Sequence, residues 1–460
     1  MRACVSLGRR SLRRRALLGA GACLAGALWG RSLGAMGRIP IGGEIMLRVP
    51  WPTGSLDPHD LHDPLAALFG AAVADPVYAL DSQGRPYPTL ADGMPAVEDG
   101  VSVVRLRPGL RTAAGRPLGG LDLAWSIERA KQGGGAGLIA QMGLPEGRGV
   151  RAHASDALAT SFGTAGPAEL ATLLASPLLA LLPRGFLPRR PDGTGPFAAR
   201  VSDSELELVR NAWAARGPSF LDRVLVRSAG ELGDSLRAFE AGSDDVGWLG
   251  AGLHRDRPGA RRFDFGEAGW IVLVTGREAE PFAAPGVAQR LVDSLPEPAL
   301  AGLGLRATSA AGPGTAWGGP AADLLYAQGA GQMHAVAEAV AALLSRPGHE
   351  IAARAVAREA LRRKRRDADL ALALDVVRPL GPRRLDALLS LATADRPALG
   401  RELGRSPPKL GPGPLPRTAT AALRLAVVGA LRVTGAASPG TELAALPGGG
   451  LDLGSSYRWR

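Results

Sequence analysis

The chain has 460 residues, of which 46% are apolar, and a formal charge of +11. This length and apolar content allow two or three domains with substantial cores. Residues 1–35 hold seven arginines and no acidic residue, so the remainder has 47 basic and 43 acidic residues. The basicity therefore gives no reason to expect a nucleic-acid partner.

The first 35 residues have the composition of an export signal. Arginine pairs precede an apolar stretch over residues 16–30, and small residues follow at Gly34 and Ala35. That stretch is too short to span a bilayer comfortably, and its order is typical of a cleaved secretory signal. Arg14 and Arg15 also fit a twin-arginine signal, so both this export route and the general secretory route stay open.

Both cysteines, Cys4 and Cys23, lie in this segment. Once it is removed, the chain has no disulfide, no thiol nucleophile and no cysteine-based metal site. Lipidation at Cys23 stays open as an alternative to cleavage near residue 35, although the preceding Ala20-Gly21-Ala22 lacks the expected leucine.

The remaining chain alternates predicted strands and helices. A strand and a helix are expected within residues 43–75, short strands and a helix near Leu121–Lys131 follow, and Gly133–Gly135 is expected to form a flexible loop. A buried strand is predicted at Ile271–Val274, and residues 322–377 predict the order strand, helix, strand, helix, strand. Residues 401–417 are rich in proline and glycine and predict a linker, before a last apolar strand.

One block carries a specific signature. It comprises Gly193-Thr194-Gly195-Pro196-Phe197, the strand-like Leu206–Arg210 with Asn211, and a second strand-like run to Val224. Asn211 is the only asparagine in the chain. The order resembles the signature of the family 5 extracellular solute-binding proteins, the receptors of peptide and nickel ABC importers, and predicts an antiparallel hairpin.

The resemblance covers most of the chain after residue 40 and weakens beyond about residue 385. It implies a two-lobed α/β fold of the periplasmic-binding-protein type II kind, with a subdomain inserted in the first lobe. The implied boundaries are first lobe 43–75, inserted subdomain 76–175, first lobe again 176–269, second lobe 270–400, linker 401–417 and return to the first lobe 418–460. The strands that cross between the lobes would act as hinges.

Two charged clusters have competing interpretations. The run from His59 to Asp63 has the ligand types of a metal site, but Pro58 and Pro64 bracket it as a turn, and Asp63 is a natural N-cap. Arginines at helical spacing between residues 354 and 366 fit either an anion-binding surface or a solvated helix face; we expect the solvated face. No metal or other cofactor is predicted.

The predicted ligand-binding residues follow from the resemblance. Peptide-binding members have an aspartate that pairs with the α-ammonium group of the ligand, and this position falls on Arg378. A guanidinium there would attract a carboxylate or phosphate instead. Asp375, three residues earlier, is a second candidate, and Trp248 and Trp270 are expected either in the core or at the pocket wall.

The resemblance implies an exported, periplasmic protein that captures a small solute, peptide-like or anionic, and delivers it to an ABC permease. No enzymatic activity is predicted, since no local catalytic motif is present. The alternative is an exported scaffold or sensor that keeps the fold without transport. We expect a monomer that meets the membrane only through the permease or a lipid anchor.

Overall fold

A computed structural model describes residues 41–459 except 145–148, 230–231, 249–254, 256, 280–283, 306–313, 330, 412–414 and 448. The predicted export signal and both cysteines lie outside the described residues. No helix among the described residues is long and apolar enough to cross a membrane.

The elements before the signature block are strand β1 and helix α1, followed by a group of short strands and helices. Their bounds are β1 Glu44–Val49, α1 Pro64–Val73, β2 Tyr78–Leu80, β3 Pro86–Pro88, β4 Ala96–Glu98, β5 Val101–Arg105, α2 Gly120–Ala130, α3 Ala136–Ala140, β6 Arg151–Ala152, β7 Ala159–Ser161 and α4 Pro167–Leu173. The predicted break of the helix at Gly133–Gly135 is confirmed, because Gly134 has a non-helical backbone with φ of 125° that kinks the chain between α2 and α3. The kink is a tight turn of residues 131–135 and not an extended loop.

The signature block and the following residues add strands β8 to β11 and helix α5. Their bounds are β8 Phe197–Val201, β9 Glu205–Arg210, β10 Arg223–Ser228, α5 Leu232–Glu240 and β11 Val246–Trp248. Strands β9 and β10 pair antiparallel, with Val209 opposite Arg223, which confirms the predicted hairpin.

The last part of the chain begins with the long strand β12. Its elements are β12 Arg261–Thr275, α6 Val287–Asp293, α7 Glu297–Ala301, β13 Ala322–Ala327, α8 Gly331–Leu344, β14 Ile351–Val356, α9 Arg358–Asp367, β15 Leu372–Val377, α10 Arg384–Asp395, α11 Pro397–Arg405, α12 Arg417–Thr420, β16 Leu425–Ala437, β17 Thr441–Ala445 and β18 Leu451–Arg458. The order predicted for residues 322–377 is confirmed. The predicted linker begins too early, because α11 occupies its first five residues.

One ten-stranded sheet runs through both lobes, in the order β14-β13-β15-β12-β16-β11-β1-β10-β9-β8. The strands β12 and β16 pair antiparallel along most of their length and cross from one lobe to the other. Their register shifts between Asp264 and Gly269 and again at Ile271–Val272. Such irregularities bend a strand pair locally, so the lobes join at a bent two-stranded crossing.

The side chains of β12 alternate between two cores. Ile271 and Leu273 pack in one core with β1 and α1. Val272 and Val274 pack in the other, with α2 and α10. Because successive side chains of a strand point to opposite faces, β12 has one core on each face of the large sheet.

A separate four-stranded sheet, in the order β4-β5-β7-β6, lies in the chain between α1 and the signature block. It packs with α2 and α4, whose buried side chains Ile127 and Leu170 belong to the second core. The chain thus leaves the large sheet after β1, forms this small sheet, and returns to the large sheet at β8 to β10, where β10 lies beside β1.

Candidate functional site

The signature block fixes the end of helix α1. The backbone N–H of Gly195 donates to the carbonyl of Val73 at 2.8 Å. A Cβ at Gly195 would lie 2.6 Å from the carbonyl oxygen of Ala72, so only glycine allows this approach. The signature glycines therefore hold α1 in place.

Asn211 has a structural explanation. Its Nδ2 donates to the carbonyl of Gly195 at 2.8 Å, and its Oδ1 accepts from the backbone N–H of Trp213 at 2.8 Å. The side chain is almost completely buried. A buried turn that needs one donor and one acceptor on a short side chain selects asparagine.

A cavity of about 650 Å³ lies between helix α1 and the residues that follow β15. Helix α1 and the residue that follows it give the cavity a face of small residues, namely Ala66, Ala67, Gly70, Ala71 and Ala74. The opposite wall comes from residues 378–391 of the second lobe, and Glu267 and Trp270 of the crossing strand lie between them. This volume is in the range of small-molecule sites in proteins.

Arg378 is the central charged group of this site. The residue follows β15 directly, lines the cavity and is only 5% exposed. Its Nη1 donates to the carbonyls of Pro58 at 3.2 Å and Asp60 at 3.1 Å. Its backbone N–H donates to the carbonyl of Leu61 at 2.9 Å. Residues of the 57–63 loop therefore orient the guanidinium from the first lobe.

The remaining Nη2 of Arg378 lies beside helix α1. It is 3.8 Å from the position that a Cβ on Gly70 would take. Across the described ranges, no carboxylate forms an ion pair with this guanidinium. Burial lowers its pKa below the ordinary arginine value, and the nearby Asp63, Asp60 and Asp57 oppose that shift. The arrangement suits an anion that enters from the cavity.

Three other charged side chains of the wall, those of Arg383, Asp75 and Arg216, already have partners. The Arg383 guanidinium binds the buried carboxylate of Asp386, with an Nη2–Oδ1 distance of 2.7 Å. Asp75 accepts from Thr194 at 3.1 Å and faces Arg216 at 3.7 Å. Burial of Asp75 outweighs these contacts and raises the pKa of its carboxyl to about 6.

Trp270 lines the cavity, as the sequence allowed, and its Nε1 donates to Glu267 Oε2 at 3.1 Å. Trp248 ends β11 and pairs with Gly435, so its predicted ligand contact stays a prediction. Asp375 does not line the cavity. It binds His62 Nδ1 at 3.1 Å and also pairs with Arg365, so its predicted ligand contact stays a prediction.

The 57–63 loop carries a set of ion pairs that we call the loop network. Its acids and their partners are Asp57 with Arg129, Asp60 with Arg362, and Asp63 with Arg358. Asp63 also caps α1, since its Oδ1 accepts from the N–H of Leu65 at 2.9 Å. The predicted N-cap is confirmed.

Two arginines of α9, Arg358 and Arg362, bind acids of this loop, so the predicted solvated face holds only for the exposed Arg354 and Arg366. Arg362 pairs with the loop, and Arg365 is buried against Asp375. The metal alternative for the loop has no support in the structure: among the described residues, no group of three acidic, histidine or cysteine side chains is placed to hold a metal ion.

His59 is the most deeply buried member of the loop. Its Nε2 donates to the carbonyl of Ala180 at 2.7 Å, which leaves Nδ1 without a donor partner in the described structure. Burial lowers the pKa of His59 to about 4. The residue is therefore a neutral structural side chain near neutral pH.

No protein-family model and no curated protein matches the sequence of this chain. Solved structures do match its fold. The murein tripeptide binding protein MppA of Escherichia coli superposes with a TM-score of 0.67 at 14% identity, over 92% of this chain and 99% of that one.

Two further matches bind other ligands. NikA of Staphylococcus aureus, solved in complex with Ni(L-His)2, has a TM-score of 0.65 at 13% identity over 90% of this chain and 100% of its own. AgaA of A. tumefaciens R10, in complex with agropinic acid, has a TM-score of 0.66 at 14% identity over 91% and 99%. The resemblance in the sequence is thus confirmed in the fold, which is that of two-lobed solute-binding proteins.

Proposed function

We propose that this protein is an exported receptor that captures a small solute in the interlobe cavity and delivers it to an ABC importer. One observation supports this most: the cavity holds a buried, oriented guanidinium, Arg378, with which no carboxylate of the described residues forms an ion pair. Removing a charge from water without a partner is costly, so such a group is expected to meet an anion from outside the chain.

The fold supplies a mechanism for capturing the solute. We assign the walls of the cavity to different lobes, and among the described strands β12 and β16 carry the bent segment between them. Rotation about such a crossing opens and closes a cleft as a rigid-body motion. A solute that contacts Arg378 and the small-residue face of α1 at once stabilises the closed arrangement.

The solute carries an anionic group that binds Arg378. The guanidinium is held by carbonyls of Pro58 and Asp60, so an entering carboxylate or phosphate meets donors that are already oriented. A preorganised, charge-assisted contact of this kind is about twice as strong as a neutral hydrogen bond. Binding and release involve no covalent chemistry.

The test is to purify the natively exported protein and identify co-purifying small molecules by mass spectrometry. We expect one solute class, at a stoichiometry near one, and its loss from an Arg378→Gln variant that keeps the wild-type circular dichroism. Deletion of the gene should then reduce cellular uptake of that solute. Binding with unchanged uptake would favour the scaffold or sensor alternative, and a protein that retains no small molecule would contradict solute capture.

A further inference from the structure

We infer that the ligand of this cavity is an organic anion with an apolar body and no cationic group. This inference rests on the proposed function and narrows it. It depends on how the charges of the wall are compensated and on which polar groups the wall offers.

The first step concerns the negative groups. Two carboxylates lie at the wall, Asp75 and Glu267. Asp75 is 1% exposed and is already held by Thr194 and Arg216. Glu267 is solvent-exposed at the edge of the cavity, and its Oε2 is engaged by the indole N–H of Trp270. Neither offers a buried, unpaired carboxylate, which is what recognition of an ammonium group requires.

The second step concerns the positive groups. Four arginines line the cavity: Arg216, Arg378, Arg383 and Arg384. Arg383 and Arg216 face the acids Asp386 and Asp75, and Arg384 has a partner as well. Arg378 has only carbonyl partners within the described part of the chain, both on Nη1. A ligand that enters the cavity therefore meets one deeply buried charge without an ionic partner, and that charge is positive.

The third step concerns the rest of the wall. Six prolines line the cavity: Pro58, Pro76, Pro177, Pro379, Pro382 and Pro447. Proline has no backbone N–H, so these positions cannot donate to the main chain of a peptide. The uncharged polar side chains of the wall, apart from the Trp270 indole, are only Tyr87, Gln289 and Thr420 among the residues that the structure describes.

Apolar surface dominates what remains. The alanines and Gly70 of α1 face a wall that includes Leu391, Leu415 and Val427. A wall with few donors stabilises an aliphatic or aromatic body, because that body loses no hydrogen bonds to water when it enters. The geometry points to a carboxylate or phosphate on a hydrocarbon chain or ring, with the anion at Arg378 and the body along α1.

The experiment compares three probes by isothermal titration calorimetry: decanoate, decanol and trialanine. We expect decanoate to bind wild-type protein, and decanol and trialanine to bind at least 10-fold more weakly. Arg378→Gln should lower the affinity for decanoate by about 10- to 100-fold. Arg378→Lys should recover part of that loss, which separates the charge effect from misfolding.

A second variant should change the affinity for decanoate in the opposite direction. Glu267→Gln removes a negative charge near the bound anion and should increase the affinity for decanoate by a factor of about 2 to 5. A ligand with an ammonium group would instead bind this variant more weakly. The matched control is Arg354→Gln, an exposed arginine whose only described ion pair is with Asp323.

Preferential binding of trialanine, with loss on Glu267→Gln, would overturn the inference and leave solute capture intact. Failure of decanoate to bind wild-type protein would overturn it as well. An amine-bearing compound among the co-purifying molecules would also overturn the inference. Failure of the proposed function has a different signature, since then no small molecule of any charge is retained.

Discussion

The loop network and the interlobe cavity are neighbours, and both are rich in arginine, yet they differ in how their charges are compensated. In the loop network each arginine of α9 that reaches the 57–63 loop faces a carboxylate, as Arg362 faces Asp60. In the cavity, Arg378 is bound by carbonyls alone among the described residues. Compensated charges hold the fold together, whereas the uncompensated charge marks the place where a ligand belongs.

The largest expected effect comes from breaking a compensated pair. Asp375→Ala leaves Arg365, whose side chain is 8% exposed, without its carboxylate. Removing one partner of a buried pair costs about 3–5 kcal/mol. Guanidinium denaturation should show this loss in the free energy of unfolding. A loss below about 1 kcal/mol would show that the pair is not a structural element of the fold.

His59 should make the loop network sensitive to acid. Burial lowers the pKa of His59 to about 4, so between pH 6.5 and pH 4 the unfolded chain binds a proton that the folded chain excludes. Stability should therefore fall as the pH falls through this window, by about 3 kcal/mol from this residue.

The measurement for His59 is the free energy of unfolding at pH 7 and pH 4.5, for wild type and for His59→Gln. A glutamine amide can still donate to the carbonyl of Ala180 and does not titrate. The variant should lose less stability than wild type over this interval. Parallel losses in both proteins would show that His59 is protonated in the folded state.

The signature block links the two regions, because it fixes the helix that lines the cavity. Gly195→Ala places a Cβ 2.6 Å from the carbonyl of Ala72 and must displace the end of α1. We expect a loss of about 1–3 kcal/mol, the usual cost of overpacking, in thermal unfolding. Gly93→Ala is the control, since nothing lies within 4 Å of its added Cβ. Equal stability of both variants would contradict the role assigned to the block.

An exposed ion pair should have the smallest effect. Arg354 and Asp323 are 2.8 Å apart, with side chains 67% and 42% exposed. Asp323→Asn should cost at most about 0.5 kcal/mol, because solvent and salt screen such pairs. A loss as large as that of Asp375→Ala would remove the distinction between buried and exposed pairs on which the comparison rests.

The sequence predicted the architecture because its patterns are local. Three predicted features depend on neighbouring residues and appear as predicted: the strand and helix order of residues 322–377, the N-cap at Asp63 and the β9–β10 hairpin. The ion pairs of α9 and the tight kink at Gly133–Gly135 were missed for one reason: long-range partners decide both. The 57–63 loop lies roughly three hundred residues before α9, and at Gly133 an added Cβ would meet the carbonyl of His59.

The site was predicted in part. Arg378 came from its position relative to a family motif, and it does line the cavity. Asp375, three residues earlier, was grouped with it, but its strand position directs it to His62 and Arg365. The role of α1 as the cavity wall was missed. Its run of alanines and one glycine, with no large side chain on that face, was the available signal.

The most direct test is calorimetry of the co-purified solute with wild-type protein, Arg378→Ala and Arg378→Asp. The alanine variant should weaken binding by about 1.5–3 kcal/mol, and the aspartate variant should weaken it further, because repulsion of the anion is added. Equal affinities for wild type and Arg378→Asp would show that this guanidinium never meets the ligand and would contradict the assignment of the cavity as the binding site.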